Sequence, residues 1–492
     1  MEEFMLNDDV FEQLKDFDHK YLTKEQSLLI DKLILNEELK ERYRKNGLCK
    51  ECKQPNTSYV SNYAVWCNSC NSKNFQQNFK NWTSGNHEVD KFIQKTQLKA
   101  KQSDEVLEWI EYDRFENVEY LAKGGFGTIY KAIWKDGYIK SWDSVNNKWI
   151  RSKLWFREYE NFPVVLKCLH NSQDITSDFL REIGTHNMIL KYITYVTHCF
   201  GITKDPESRN FMIVMGYVIN GSLRQHLNNN FNSIKWDEKL KILQNIVKGL
   251  AYIHKNGIIH RDFHCGNILK EDDFTLITDL GLCRPANVKP SQNECKELYG
   301  VLPYVAPEIL RGKEYTQESD VYGFGIIAYE VCTGLPPYHD IVHDKFLAIR
   351  ICQGLRPKSN YKIPQLILNI IKQCWDADPL KRPKANELIG LLTDLYCSAA
   401  LSSRRDHEIN KQIEEADKIN ETLTSSSSLN TGPTLSYTTN PQAVYTSRLL
   451  NFKNLPEPKN AVDNKDNDNS FREYSESIEA IDFTKLDIDK SN

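Results

Sequence analysis

The sequence predicts an α+β domain over residues 113–396, preceded by a cysteine-bearing N-terminal region and followed by a low-complexity tail. Three observations indicate this arrangement. Strand-like and helix-like apolar runs fill residues 113–396, four regularly spaced cysteines lie in residues 47–75, and Ser, Asn and charged residues dominate after residue 400. At about 150 residues per domain, a chain of 492 residues has room for one full hydrophobic core with smaller units beside it.

The composition narrows the function class. Hydrophobic residues make up 40% and charged residues 26%, as in soluble globular proteins. The net charge of -4 argues against binding of nucleic acid or a membrane surface through bulk charge. The acidic first twenty residues lack a secretory signal, and no run of eighteen apolar residues predicts a membrane span. Only four of the 13 cysteines are patterned, which favours reduced thiols. We therefore expect a cytoplasmic protein, with the nucleus as the alternative.

The flanking segments have distinct patterns. Residues 1–46 predict a short helical extension, with a capping box at residues 23–26, and residues 76–112 predict a helical connector. The tail, residues 397–492, is acidic and of low complexity, so we expect it to be largely disordered apart from a docking segment around SRLLNFKNL, residues 447–455.

A glycine-rich stretch, residues 121–130 (LAKGGFGTIY), lies between two strand-like runs. Glycines there would let backbone N–H groups approach a polyphosphate closely, although a lone stretch of this kind is more often only a turn. A β-branched strand then ends in Lys167, and Glu182 follows on a helix that begins at Ser177. A glutamate facing inward on such a helix could pair with Lys167 and hold it against phosphates.

Oxygen-bearing side chains follow in residues 258–269 (IIHRDFHCGNIL). An apolar run, a polar loop and a second apolar run place Asp262 and Asn267 together between strands, and Asp279 lies seventeen residues after Asp262. Carboxylate and amide oxygens are the hard ligands that Mg²⁺ requires. These residues therefore predict a Mg²⁺ site at strand ends.

Later motifs complete the pattern, namely Ala306-Pro307-Glu308, SDVYG at residues 319–323 and Lys381-Arg382-Pro383. In this order and at this spacing, the motifs resemble those of eukaryotic protein kinases over residues 113–396. The phrases HRDFHCGNIL, YEVCTGLPPY and DPLKRP further resemble fungal serine/threonine kinases of the tyrosine-kinase-like group, in which a cysteine cluster also precedes the domain. The resemblance implies a bilobal fold with a small β-rich N-lobe and a larger helical C-lobe.

The resemblance also implies catalytic roles. Lys167, fixed by Glu182, would hold the α- and β-phosphates of ATP. Asn267 and Asp279 would bind Mg²⁺, and Asp262 would accept the proton of the substrate hydroxyl.

Further roles follow from the same resemblance. Arg261 would pair with a phosphate on the activation segment. Glu308 and Arg382 would form a structural ion pair, and Asp320 would brace the catalytic loop. Adenine would bind the backbone of residues 215–218, with Met215 as gatekeeper. The implied ATP-binding residues are Leu121, Ala122, Gly124, Gly125, Phe126, Gly127, Ile129, Val165, Lys167, Met215, Gly216, Tyr217, Val218 and Leu269.

Several residues depart from the family pattern. Ala122, Leu280 and Gly216 replace a usual Gly, Phe and Glu, and we expect mild effects from all three. His264 and Val301 stand where serine/threonine kinases usually carry Lys and Thr, and the tyrosine-kinase pattern is also incomplete. His264 can donate to the phosphate, more strongly when protonated, so we expect turnover to rise as it is protonated.

The hydroxyl specificity therefore stays open in part. We expect serine/threonine substrates in proteins, with dual specificity as the alternative. A pseudokinase scaffold is the alternative from another class, and the presence of all the catalytic residues argues against it. The substrate, the upstream signal and the oligomeric state cannot be predicted. The sequence lacks the basic patch that a nucleic-acid site would need.

An insertion lengthens the N-lobe. Forty residues separate Gly127 from Lys167, about twenty more than is usual. Residues 134–162 predict an extended hairpin whose aromatic side chains pack locally, with a docking surface as the alternative.

The four patterned cysteines predict a structural zinc site. Cys49 and Cys52 form one CxxC pair, and Cys67 and Cys70 form a second pair with zinc-ribbon-like spacing. Four thiolates close a tetrahedron and leave no open catalytic position. The segment is too short for its own core, so the metal would supply the folding energy. A chance pairing of CxxC sequences or a labile disulfide pair is the alternative.

Overall fold

The computed structural model describes most of the chain. The described residues are 5–61, 64–124, 127–153, 161–169, 180, 183–185, 195–281, 283–285, 298–400, 408–425 and 437–460. The fold is α+β, with a β-sheet lobe followed by a helical lobe, as the sequence predicts.

Three short helices open the chain: α1 (Asp8–Leu14), α2 (Lys24–Leu33) and α3 (Glu37–Asn46). The predicted capping box is present, because the Thr23 side chain accepts from Gln26 N and the Gln26 side chain accepts from Thr23 N. Leu14, Ile30 and Tyr43 form the small core between the helices. The predicted helical extension therefore has a core of its own.

The cysteine segment is a hairpin followed by a helix. Strands β1 (Ser58–Ser61) and β2 (Ala64–Trp66) pair antiparallel, and α4 (Asn68–Asn78) follows. The connector holds α5 (His87–Lys99), whose buried face packs onto the N-lobe sheet through Val89 and Ile93. Asn86 caps this helix by accepting from Val89 N.

The N-lobe contains a six-stranded sheet in the order β3-β9-β10-β8-β5-β4. Strand β3 is parallel to β9, and the other pairs are antiparallel. The strands are β3 (Glu108–Trp109), β4 (Phe115–Lys123), β5 (Gly127–Trp134), β8 (Phe162–Leu169), β9 (Cys199–Lys204) and β10 (Phe211–Gly216). Strand β8 lies inside the sheet, between β10 and β5.

The predicted hairpin in the insertion is confirmed as β6 (Tyr138–Asp143) and β7 (Lys148–Ser152). Trp142 contacts Trp149 within the hairpin. Trp149 also stacks on Phe75, with ring centroids 4.3 Å apart, and on Trp66. The expectation of purely local packing is wrong for Trp149, because this side chain joins the hairpin to the cysteine segment.

The C-lobe is built on helices. The larger ones are α6 (Leu223–Asn230), α7 (Trp236–Lys255), α9 (Gln317–Thr333), α10 (Lys345–Cys352), α11 (Gln365–Cys374) and α12 (Ala385–Ala400). The short elements are β11 (Ile258–Ile259), β12 (Ile268–Glu271), β13 (Phe274–Ile277), β14 (Arg284–Pro285), β15 (Leu298–Gly300) and α8 (Pro307–Leu310). Helix α9 is buried along most of its length, because apolar residues surround its axis. No helix among the described residues has the length and apolarity needed to span a bilayer.

Two stretches of the tail lie on the C-lobe. Helix α13 (Glu408–Ser425) buries Ile409 and Ala416, and residues 437–460, which include β16 (Arg448–Leu450), bury Leu450 and Leu455. The expectation of disorder was wrong for residues 408–425 and 437–446, whereas the predicted docking segment, residues 447–455, does lie on the C-lobe. A few well-spaced apolar side chains suffice to bind a surface that already exists, and mean composition does not reveal them. The rest of the tail lies outside the described residues.

Candidate active site

The carboxylate of Asp320 holds the catalytic loop, residues 260–267, through hydrogen bonds to its backbone. Asp320 on α9 accepts from His260 N at 2.8 Å and from Arg261 N at 3.0 Å, and His254 Nε2 lies 3.0 Å from the same carboxylate. Asp320 is almost fully buried. It therefore braces the catalytic loop in the way that the sequence analysis implies.

The loop brings Asp262 and Asn267 together. Asn267 Nδ2 donates to the Asp262 carbonyl oxygen at 3.0 Å and to Asp262 Oδ2 at 3.2 Å. Asp262 is only 5% exposed, and its Oδ1 accepts no hydrogen bond from any described residue. A buried carboxylate oxygen without a donor can accept a proton or a hydroxyl hydrogen bond.

His264 lies beside this oxygen. Its Nδ1 accepts from Gly266 N at 3.1 Å, and its Nε2 lies 3.5 Å from Asp262 Oδ1. Because Nδ1 is an acceptor, the proton of the neutral ring lies on Nε2, which faces Asp262. The position that departs from the family pattern therefore holds a donor next to the candidate base.

Lys167 and Asp279 meet across the two lobes. Lys167 lies in the middle of β8 and Asp279 follows β13, and Lys167 Nζ lies 2.8 Å from Asp279 Oδ1. Burial alone would raise the pKa of Asp279, but the Lys167 ammonium outweighs it and holds this pKa at about 2. Asp279 is therefore an anion at any physiological pH. Glu182 lies outside the described residues, so its pairing with Lys167 stays a prediction.

The glycine-rich stretch predicted to bind phosphates spans the end of β4 and the start of β5. Gly124 N donates to Gly127 O at 2.8 Å, and Ala122 pairs with Ile129 across the two strands. Leu121 also lies on β4, whereas Gly125 and Phe126 lie outside the described residues.

The segment predicted to bind adenine, residues 215–218, begins at the end of β10. Met215 is buried opposite Val165 of β8, and Gly216 N donates to His198 O at 3.0 Å. Val218 and Tyr217 follow, with Lys131 Nζ 4.5 Å from the Tyr217 ring centroid. Leu269 lies on β12 in the C-lobe.

Two other predicted residues have structural partners. Arg382 binds Glu308 through both terminal nitrogens, at 2.6 Å and 2.8 Å, and this buried pair confirms the predicted ion pair. The Arg261 guanidinium lies 4.5 Å from the Tyr315 ring centroid. The pairing of Arg261 with an activation-segment phosphate stays a prediction.

The sequence analysis missed a polar network next to the catalytic loop. Arg224 on α6 donates through Nε to Glu330 of α9 at 3.0 Å, and Tyr304 contacts both residues through its hydroxyl. These three residues are far apart in the chain, and no local motif contains them. The one sequence signal was the carboxylate of Glu330 within the largely apolar second half of α9, which indicates a buried partner.

The four patterned cysteines converge. Their Sγ atoms all lie within 4.8 Å of one another, with Cys52 Sγ 3.4 Å from Cys67 Sγ and Cys49 Sγ 3.8 Å from Cys70 Sγ. These separations exceed a disulfide bond of about 2.05 Å. Lys53 has a φ of 62°, and its backbone N–H donates to Cys49 O. This hydrogen bond closes a turn that contains both cysteines of the first CxxC pair. Four such thiols match the ligand set of a structural Zn²⁺.

A model of the protein tyrosine and serine/threonine kinase family matches residues 115–392. The chain belongs to this protein kinase family. Its curated relatives include a probable serine/threonine-protein kinase of Dictyostelium discoideum, 27% identical over 289 residues, and the probable serine/threonine-protein kinase roco5 of the same organism, 31% identical over 293 residues. A tyrosine-protein kinase of Girardia tigrina, SPK-1, is 28% identical over 286 residues.

These matches cover only part of each protein. They span 58%, 56% and 56% of this kinase chain, and 28%, 9% and 52% of the three relatives in the same order. The relatives therefore inform the kinase domain alone. The resemblance to fungal members of the tyrosine-kinase-like group stays a prediction.

Proposed function

We propose that this chain is an ATP- and Mg²⁺-dependent protein kinase that phosphorylates Ser or Thr hydroxyls of protein substrates in intracellular signalling. The observation that carries the proposal is Asp262 Oδ1, which accepts no hydrogen bond from the described residues and is held beside Asn267 in the loop that Asp320 braces. A base for a substrate hydroxyl needs a fixed carboxylate with one free lone pair, and Asp262 has one.

The residues present suit ATP and Mg²⁺. Asn267 uses its Nδ2 for Asp262, and its Oδ1 accepts no hydrogen bond from a described residue. This amide oxygen and the ionised Asp279 carboxylate supply hard oxygen ligands, which Mg²⁺ requires. When bound, ATP would supply the phosphoryl group and Mg²⁺ would neutralise charge on its oxygens. Lys167 would hold phosphate oxygens, and residues 121–130 and 215–218 would contact the rest of the nucleotide.

Asp262 would accept the hydroxyl proton and orient the attacking oxygen. His264 Nε2–H, 3.5 Å from Asp262 Oδ1, would lie close enough to donate to the transferring phosphate. His264 would thus act in place of the Lys that serine/threonine kinases usually carry two residues after the base.

Ser/Thr specificity is the finer part of the proposal. The relatives named as serine/threonine-protein kinases support it, and the tyrosine-protein kinase SPK-1 keeps dual specificity as the second candidate. A pseudokinase scaffold is disfavoured, because Lys167, Asp262, Asn267 and Asp279 are all in place.

The cysteine segment would hold one structural Zn²⁺ through Cys49, Cys52, Cys67 and Cys70. The closed four-thiol set supports a role in folding this segment and not in phosphoryl transfer.

One experiment tests the proposed activity. Purified full-length protein is incubated with ATP and Mg²⁺ on a peptide array containing Ser, Thr and Tyr acceptors, and modified residues are mapped by mass spectrometry. Phosphate on Ser and Thr peptides supports the proposal, whereas phosphate confined to Tyr peptides contradicts the specificity. No phosphate on any peptide favours the scaffold.

A further inference from the structure

A strand of the tail pairs with the segment that leads into the catalytic cleft. Strand β16 lies antiparallel to β15, with Leu450 opposite Leu298, Leu449 opposite Tyr299 and Arg448 opposite Gly300. A β-carbon built on Gly300 would lie 3.8 Å from Asp262 Oδ1. Since neighbouring strands are about 5 Å apart, the backbone of β16 passes within about 10 Å of the candidate base.

The residues before β16 fill the adjoining groove between α6 and the loop after α9. The Tyr445 ring lies 4.3 Å from the Arg224 guanidinium and 4.9 Å from the His343 ring, and its hydroxyl donates to Pro337 O at 2.9 Å. Arg448 donates to His343 O at 2.5 Å. The groove therefore already binds a polypeptide segment, which is extended at β16 and turns at residues 440–443.

Tail residues 437–442 also contact the C-lobe. Asn440 N donates to His339 O at 2.7 Å, and His343 N donates to Gln442 O at 3.2 Å. Tyr437 donates to Asn228 Oδ1 on α6 at 2.9 Å. Asn440 and Gln442 bind through main-chain groups, which another peptide could replace, whereas Tyr437, Tyr445 and Arg448 bind through their side chains.

The register places a hydroxyl close to the cleft. Ser447 comes directly before β16, and its buried Oγ has no hydrogen-bond partner among the described residues. In sequence, Tyr445 lies two residues before this serine and Leu450 lies three residues after it. Ser447 therefore directly precedes Arg448, which pairs with Gly300, the residue that approaches Asp262.

We propose that residues 437–450 occupy the groove in which the phosphate-accepting polypeptide binds, so that the tail and the substrate compete. The inference rests on the proposed kinase function. Strand β15 is the edge to which an acceptor peptide adds as an antiparallel strand. Preferred acceptors carry an aromatic residue two positions before the hydroxyl and a leucine three positions after it.

A matched pair of substitutions in the full-length protein tests the competition. Leu450 is 4% exposed and Leu449 is 51% exposed, so Leu450→Ala removes a docking contact and Leu449→Ala does not. Leu450→Ala should lower KM for an acceptor peptide by about tenfold or more, because buried leucines anchor strongly. KM for ATP should stay the same, and Leu449→Ala should behave as the wild type. A wild-type peptide KM in folded Leu450→Ala protein overturns the proposal.

Hydrogen exchange on the wild-type chain gives a second test that needs no variant and no catalysis. A synthetic peptide with the sequence of residues 440–455 is added in excess, and exchange is followed at the amides of residues 448–450. Faster exchange at β16, with residues 408–425 unchanged, supports displacement of the tail. Bound peptide without faster exchange at β16 overturns the proposal. Because this result does not depend on phosphoryl transfer, it is distinguishable from failure of the proposed kinase activity.

Discussion

Asp262→Asn replaces the candidate base with a side chain of nearly the same shape. In the wild type, Asn267 Nδ2 donates to Oδ2 at 3.2 Å, and His264 Nε2 lies 3.5 Å from Oδ1. His264 Nδ1 already accepts from Gly266 N, so the neutral ring carries its proton on Nε2. Both neighbours of residue 262 are then donors. An amide offers only one acceptor oxygen, so one donor–donor contact arises whichever way it turns.

The substitution is expected to lower both the rate of phosphoryl transfer and the folding stability. A positioned general base contributes about 10²- to 10⁴-fold, which corresponds to about 3 to 5 kcal/mol of barrier. Asp262 Oδ1 accepts no hydrogen bond from the described residues, so the loss of folding stability comes from the amide donor that then faces His264, and is about 1 kcal/mol. We therefore expect turnover to fall at least about a hundredfold, with a modestly lower melting temperature. ATP binding should be nearly intact, because Asp262 is assigned to the hydroxyl and not to the nucleotide.

The assay compares initial rates of peptide phosphorylation with calorimetric binding of ATP and Mg²⁺. Asp273→Asn is the matched control, since Asp273 is an exposed carboxylate whose partner is Lys241, at 2.5 Å. This control should turn over at the wild-type rate. If folded Asp262→Asn protein phosphorylates as fast as the wild type, the assignment of the base is wrong.

Three further changes test other parts of the chain. Lys167→Met should weaken ATP binding, which calorimetry measures. It should also raise the pKa of Asp279 above about 2, because the Lys167 ammonium no longer opposes the effect of burial. A carboxyl NMR titration measures this pKa, and an unchanged value would contradict the pairing of Lys167 with Asp279. In the wild type, protonation of Asp279 should therefore not reduce activity above about pH 4. The double variant Cys52→Ser with Cys70→Ser should lose one Zn²⁺ per chain and expose residues 47–75 to protease while kinase activity survives; metal analysis of reduced wild-type protein that finds no zinc would remove this idea. His264→Ala should lower turnover and His264→Lys should preserve or raise it, and an Ala variant as fast as the wild type would show that this side chain does not act on the phosphate.

The local motifs could be predicted well because their residues are close in sequence. A five-residue spacing brings Asp262 and Asn267 into one loop, and two CxxC pairs bring four thiols around one centre. The insertion hairpin was predicted from the extra length of chain between Gly127 and Lys167. In each case, chain connectivity alone limits how far apart the side chains can lie.

Contacts between distant segments needed the tertiary structure. Nothing in the insertion indicates that Trp149 stacks on Phe75 of the cysteine segment. Arg224 and Glu330 are likewise 106 residues apart and share no motif. Such contacts depend on which faces of the folded elements meet, and no periodicity encodes that.

The sequence by itself determined the family, the catalytic residue types and the candidate zinc ligands, because these depend on the order and spacing of chemical groups along the chain. The tertiary structure decided that Lys167 reaches Asp279 across 112 residues, and that Arg448–Leu450 of the tail lies on Leu298–Gly300. The tail could not be placed from its composition, since its few apolar residues become anchors only on a C-lobe surface that other segments build.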